Sequence, residues 1–395
     1  MDHNQQIFTL PLEERDRRWN NIRKTMKKRE LSCLIVWGSY TVFRDLNGNL
    51  QYLIGISTEG YLVFPIEDEP TLYTFEGGLE PTCWVEDWRE GHPKYSKVIS
   101  ERLRELHLEN SSIGVVGISG YYGELGFPYT TYASLANNLP TAKLVDATDI
   151  VEEARMIKSD AEIRCLELAG EIGEKAIQAV VDTAKVGVKD YEVRAAMMDT
   201  MFRSGGQPAS MLLYCQGKEV VHGGQSGSYF EPPSSKKLKL GDVILTEFAS
   251  IYMGYQTQFN QPFSVGEPNK EWRDIFSVIL ESLNSAFKAL KPGITVGKLD
   301  EAFLSPIKTA GYRYSTPPFH GLGLGLEMPM GNYPRQPNYN PNFSSIIKAG
   351  MALSFEPHLS SLDNKKGMSF GSTVLVTETG HRLLSKTWKP EFKIL

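Results

Sequence analysis

The run Val243-Ile244-Leu245-Thr246-Glu247-Phe248-Ala249-Ser250-Ile251-Tyr252, followed by Met253-Gly254 and then by Tyr255-Gln256-Thr257-Gln258-Phe259-Asn260, reads as two strands joined by a tight turn. The arms span 243–252 and 255–265, and the Met-Gly pair marks the hairpin between them. Downstream, 270–290 and 296–310 have helical periodicity, with Lys291-Pro292-Gly293 as the break. Strand signals return at 351–355 and 373–377, after a tract rich in glycine, proline and asparagine at 321–342. Upstream, 149–185 is helical with an interruption near Ile157-Lys158-Ser159, and Asp160 is the expected N-cap. A further helix is expected over 190–204. Helices and antiparallel strands in separate runs define an α+β domain over 151–395.

The first 150 residues have a different texture. A charged amphipathic helix over 12–30 carries Leu12, Trp19, Ile22 and Met26 on one face, and Cys33-Leu34-Ile35-Val36-Trp37 follows as a buried strand. Further strands are expected at 61–64, 71–75, 112–117 and 143–146, with helices at 96–108 and 130–138. Strands alternating with helices point to a smaller α/β domain over 1–150.

Composition bounds the function. The chain has 395 residues, 41% hydrophobic and 23% charged, which excludes disorder and a disulfide-stapled miniprotein. With 42 Lys and Arg against 47 Asp and Glu, the net charge of −5 argues against nucleic acid or an anionic membrane as the main partner. No stretch approaches the ~20 apolar residues of a membrane span. The opening Met1-Asp2-His3-Asn4-Gln5-Gln6 does not read as a signal peptide, so a cytoplasmic location is expected. Cys33, Cys83, Cys165 and Cys215 are too scattered for a zinc ribbon or a disulfide framework.

Four features could carry chemistry. His222 sits in the polar segment 217–224, either as a proton-transfer group or as a surface-loop histidine. Phe319-His320-Gly321-Leu322-Gly323-Leu324-Gly325 lets backbone approach a bound group, or is only a glycine-rich turn. Phe355-Glu356-Pro357-His358 puts a carboxylate at the end of an apolar strand, where it must be paired or belong to a site. Glu247 and Gln258, eleven residues apart across the hairpin, can point into one cavity.

The order of these pieces resembles the creatinase/aminopeptidase P/prolidase family, the pita-bread fold, over nearly the whole chain. The resemblance is carried by Glu153-Ala154-Arg155-Met156-Ile157-Lys158-Ser159-Asp160-Ala161-Glu162-Ile163, Gly241-Asp242-Val243-Ile244-Leu245, the helix after Gly266-Glu267-Pro268, Gly350-Met351-Ala352-Leu353-Ser354-Phe355-Glu356-Pro357 and Thr373-Val374-Leu375-Val376-Thr377. In the first domain, Asp87-Trp88-Arg89 resembles a stretch of creatinases. The implied fold is a C-terminal pita-bread catalytic domain behind a creatinase-type α/β domain. Metallopeptidase members hold two metal ions through two aspartates, one histidine and two glutamates. The matching positions here are Glu247, Gln258, His320, Glu356 and Gly371, and Glu327 stands where peptidases often have a second histidine. Glutamine and glycine cannot supply anionic ligands.

That departure favours the metal-free branch, creatinase and the ectoine hydrolases. The resemblance then implies a metal-independent hydrolase of a C–N bond in a small nitrogenous substrate (amide, amidine or guanidino), with no metal and no cofactor. His222, His320 and Glu356 are the expected catalytic residues. Glu247, Gln258, Asn260, His358, Glu327 and Glu59 are the expected substrate contacts, Glu59 from the loop Ile56-Ser57-Thr58-Glu59-Gly60 that would cover a neighbour's pocket in a homodimer. The other readings are an Xaa-Pro metallopeptidase with a rebuilt metal site, a non-catalytic peptide-binding pita-bread protein, and a β-elimination lyase.

Overall fold

The computed structural model describes residues 8–39, 48–75, 82–119, 126–208, 212–222, 235–334 and 342–395. The chain falls into two units, Met1–Met156 and Ile157–Leu395. In the first, the helix Leu12–Lys28 buries Trp19, Ile22 and Met26 along one stripe, with acids in its first turn and lysines in its last, as its dipole favours. A six-stranded sheet runs in the order Asp87–Glu90, Thr71–Thr74, Gly60–Pro65, Cys33–Gly38, Ser112–Val116, Lys143–Asp146. Its core joins Ile35, Val63, Ile113 and Val115 to Ile99 and Leu103 of the helix Tyr95–Glu105. Full burial of each such side chain stabilises the fold by about 1.5–3 kcal/mol. The short helix Gly48–Ile54 and the strand Asp87–Glu90 were not expected. The first is a seven-residue element, about two turns long, too short to show a helical period.

The periodic stretch at 149–185 is two helices, Thr148–Met156 and Asp160–Thr183. The cap of the second is Ser159 rather than Asp160. Its hydroxyl accepts from the Glu162 backbone N–H, and Glu162 Oε2 accepts from the Ser159 N–H at 2.8 Å. This reciprocal pair satisfies two otherwise orphaned donors, so the extended residue before Asp160 is the better cap.

The second unit is built on a large sheet in the order Gly325–Met330, Phe319–Gly323, Ala352–Phe355, Gly371–Val376, Tyr255–Ser264, Val243–Tyr252, Leu212–Gly217. The glycine tract at 319–325 is therefore paired strand and not a turn alone, with Leu322 opposite Leu326. A three-stranded sheet, Arg313–Tyr314, His358–Ser360 and Gly367–Ser369, lies beside it in the sequence order of the same unit. The hairpin Val243–Tyr252/Tyr255–Ser264 is buried along its whole length. The helix Asp160–Thr183, which buries Leu166, Ala169 and Ile177, packs against it, with Gly173 close to Phe259 and Ser250. Hairpin side chains also donate into that helix: Ser250 Oγ to the Ala169 carbonyl at 2.6 Å, Thr257 Oγ1 to Leu166 at 2.8 Å, and Tyr255 OH to Glu162 Oε1 at 2.9 Å. No helix among the described residues is long and apolar enough to cross a membrane. None of the four cysteines is in a disulfide.

Candidate active site

The hairpin register puts Glu247 directly opposite Asn260, and Ala249 opposite Gln258. Directly opposed residues of an antiparallel pair share a face, as do residues two apart on one strand, so Glu247, Gln258 and Asn260 project together. Gln258 Nε2 donates to Glu247 Oε1 at 3.3 Å and also to Glu356 Oε2. One neutral amide thus separates two buried carboxylates that would otherwise repel.

His222 is not a surface-loop histidine, for only 1% of it is exposed. Its backbone is held to the strand Gly367–Ser369, with His222 N–H donating to the Gly367 carbonyl at 3.1 Å and Gly367 N–H to Val220 at 3.0 Å. On the other edge of that strand, His358 pairs with Ser369. A side chain at Gly367 would meet the Leu359 carbonyl at 2.8 Å and Val221 Cγ1 at 3.0 Å, so glycine lets both flanking segments press in. The two imidazoles meet edge to face at 4.4 Å. His222 Nε2 lies 2.7 Å and His358 Nε2 3.0 Å from the same oxygen, Glu247 Oε2.

Electrostatics follow from this crowding. Burial pushes the Glu247 carboxyl up, but the neighbouring His358 and the hydrogen bond from His222 outweigh it and hold Glu247 well below the usual 4.5. Burial, then the neighbouring His358, lower His222 below its usual 6.5, against the pull of Glu247. The carboxylate stays ionised and His222 is neutral near pH 7, with its ring proton on Nε2 facing Glu247. Among the described residues, His222 Nδ1 and both ring nitrogens of His358 make no hydrogen bond of acceptable geometry, although His358 Nε2 is close to Glu247.

On the other side of Gln258, His320 Nε2 approaches Glu356 Oε1 at 3.3 Å. His320 Nδ1 lies 2.9 Å from the Gly321 carbonyl, which can only accept, so Nδ1 carries a proton. Asn260 Nδ2 donates to Ser369 Oγ at 2.8 Å.

Two expected substrate contacts have partners outside this cluster. Glu327 forms a buried ion pair with Lys158, which the sequence reading did not single out. No spacing signal could have found that partner, 169 residues away. Glu59 belongs to the first unit, exposed, with Ser39 Oγ donating to it at 3.4 Å. Gly371 is more than a missing ligand: a Cβ there would lie 1.8 Å from the Phe355 carbonyl, so the backbone itself occupies the space of a side chain.

Comparison with known proteins sets these residues in a family. Residues 18–157 match the creatinase/prolidase N-terminal domain, and residues 164–378 match metallopeptidase family M24. The chain is 28% identical over 342 residues to the Xaa-Pro dipeptidase of Pyrococcus furiosus, covering 86% of this chain and 91% of that one. An Xaa-Pro dipeptidase of Pyrococcus horikoshii is also 28% identical, over 347 residues. Among solved structures, the prolidase from Pyrococcus horikoshii OT3 superposes with a TM-score of 0.75 at 24% identity, covering 94% of this chain and 99% of that one. The X-Pro aminopeptidase from Thermotoga maritima gives 0.80 at 20% identity, with 95% and 99% covered. These findings overturn the expectation of a metal-independent C–N hydrolase of the creatinase branch. Its reasoning treated two absent ligands as the absence of metal chemistry, whereas the relatives matched along most of the chain are Xaa-Pro dipeptidases. With the M24 match covering more than half of its residues, behind a creatinase-type first domain, the chain belongs to metallopeptidase family M24.

Proposed function

We propose that this chain hydrolyses a peptide bond in short peptides of the Xaa-Pro type. The observation that carries the reading is the likeness to the Pyrococcus furiosus Xaa-Pro dipeptidase along 86% of this chain. The family implies a metal, and the residues present decide what kind of site they could form. A two-ion site does not fit, because Gln258 brings an amide N–H₂ between the two carboxylates and Gly371 has no room for a ligand. A single ion does fit the donor set His222, Glu247 and His358, whose potential ligand atoms lie within 4.8 Å of one another. Bound there, a divalent ion would polarise a carbonyl and make a bound water acidic.

The chain's own residues then do the rest. Gln258 keeps Glu247 and Glu356 ionisable side by side by giving each a hydrogen bond. His320, with Nε2 3.3 Å from Glu356 Oε1, would pass a proton to a leaving nitrogen, as a positioned acid requires. The buried walls around them exclude bulk water and so strengthen each charge-assisted contact. A homodimer, as the resemblance implies, is part of the proposal.

The test is proline release from a panel of Xaa-Pro dipeptides by the full-length chain, with Zn²⁺, Co²⁺ or Mn²⁺ supplied and the mass followed by light scattering. Turnover at the mass of a dimer is expected, with His320→Ala reducing kcat by about 10²–10⁴-fold. Absence of proline release under every metal would overturn the reading, and a monomer that turns over would remove the dimer from it.

A further inference from the structure

We infer that His222 Nε2, Glu247 Oε2 and His358 Nε2 form a single-ion site for a divalent transition cation of the zinc or cobalt class, sharing only Glu247 with the positions that match the family's ligands. The inference rests on the peptidase reading for the ion's purpose. For the site itself it rests on geometry.

Three observations converge. First, two imidazoles from opposite edges of the strand Gly367–Ser369 are brought onto one carboxylate oxygen, at 2.7 and 3.0 Å. Ligand atoms around a tetrahedral ion at about 2.1 Å stand roughly 3.4 Å apart, so the two imidazole nitrogens would move off the Glu247 oxygen by about 0.4–0.7 Å to admit an ion. Second, both histidines are buried, and His358 has neither ring nitrogen in a well-formed hydrogen bond among the described residues. A buried polar group left in this way is costly, and a coordinate bond would offset that cost. Third, the chemistry of the donors is selective. Two imidazoles and one carboxylate suit zinc or cobalt and leave a fourth position open, whereas magnesium and calcium prefer oxygen shells. On binding, the His222 ring proton would move from Nε2 to Nδ1, and the ion would take the place of the proton shared with Glu247. No oxidation state changes.

His358 is the residue that makes the difference. Glu356 and Pro357 immediately precede it, and Thr316 Oγ1 accepts from its backbone N–H at 3.3 Å, fixing the direction in which the side chain leaves. Without this side chain the cluster would offer one imidazole and one carboxylate, too few for a transition ion.

The test uses the full-length chain stripped with chelator and dialysed. Titration with ZnCl₂ or CoCl₂ by calorimetry, with metal content measured after desalting, should give one equivalent, and bound Co²⁺ should show the intense visible absorption of a four-coordinate ion. MgCl₂ should not compete. His358→Ala, His358→Asn and His222→Ala should each weaken binding by more than about 100-fold, beyond the loss typical of a supporting partner. His320→Ala should keep the one-equivalent site. Two equivalents, none, or loss of binding in His320→Ala with retention in His358→Ala would overturn the inference. Should the histidine variants fail to fold, the wild-type stoichiometry and Co²⁺ spectrum decide it alone. Proline release that persists in metal-free protein would defeat the site while leaving the peptidase reading intact. One bound ion without cleavage of any Xaa-Pro dipeptide would uphold the site and defeat the substrate reading.

Discussion

Replacing Lys158 by methionine should be among the most damaging single changes in the second unit. The Lys158 and Glu327 side chains form an ion pair with 1% and 4% of their surfaces exposed. Methionine fills most of the lysine volume, so packing is nearly kept while the cation is removed. The Glu327 carboxylate then lies buried without its counter-charge, and must either take up a proton or remain uncompensated. Breaking a buried pair from one side costs about 3–5 kcal/mol. For a unit of this size each kcal/mol moves the midpoint by about 2–4 °C, so the second unit should melt roughly 6–20 °C lower. Lys158→Met/Glu327→Leu should recover most of that loss, because removing both charges also removes their desolvation cost. Urea unfolding of the four proteins in a double-mutant cycle gives the coupling directly. A loss below about 1 kcal/mol in Lys158→Met, or a double variant as unstable as the sum of the singles, would refute the argument. Glu327→Gln reports separately on the expected substrate role: a raised KM with unchanged stability would return Glu327 to the substrate.

Gly371→Ala should destabilise the second unit by about 1–3 kcal/mol in thermal melts, since its Cβ would fall 1.8 Å from the Phe355 carbonyl and strands must separate; an unchanged midpoint would count against the close approach. In the first unit, burial would raise Glu14, but hydrogen bonds from Arg17 and the charge of Arg18 prevail and hold it below 4.5. A lowered carboxyl adds stability that is complete above the unfolded value and is lost as pH falls through the folded one. The stability gap between the wild type and Glu14→Gln should therefore be widest at neutral pH and close below about pH 4.5; a gap constant from pH 7 to 3 would be inconsistent with it.

Legibility differed between local and long-range features. The hairpin could be read because its turn, its arms and the facing of Glu247 and Gln258 all follow from a period of two counted from Met253-Gly254. The longer helices of both units announced themselves by period. The strand pair at 319–330 did not, because glycine has no side chain to alternate and its strand character comes from neighbours in the sheet. His358 was the least certain of the expected contacts, yet it stands at the centre of the cluster. Nothing in Glu356-Pro357-His358 tells that this imidazole will meet His222 across the strand Gly367–Ser369. The metal-free expectation failed for the same reason: ligand positions were compared one by one along the chain, while a site is assembled across it.

The hydroxyls that the hairpin lends to the helix Asp160–Thr183 have a consequence for how the protein opens. Ser250, Thr257 and Tyr255 tie the strands bearing Glu247 and Gln258 to the first three turns of that helix. The helix cannot fray from Ser159 without uncovering these donors, and the hairpin cannot peel away without stranding them. The two should therefore open as one cooperative unit, with matched amide protection against exchange, rather than as a loosening edge. The face carrying Glu247 and Gln258 would then keep its shape through smaller local openings and be lost only when this helix and hairpin come apart together.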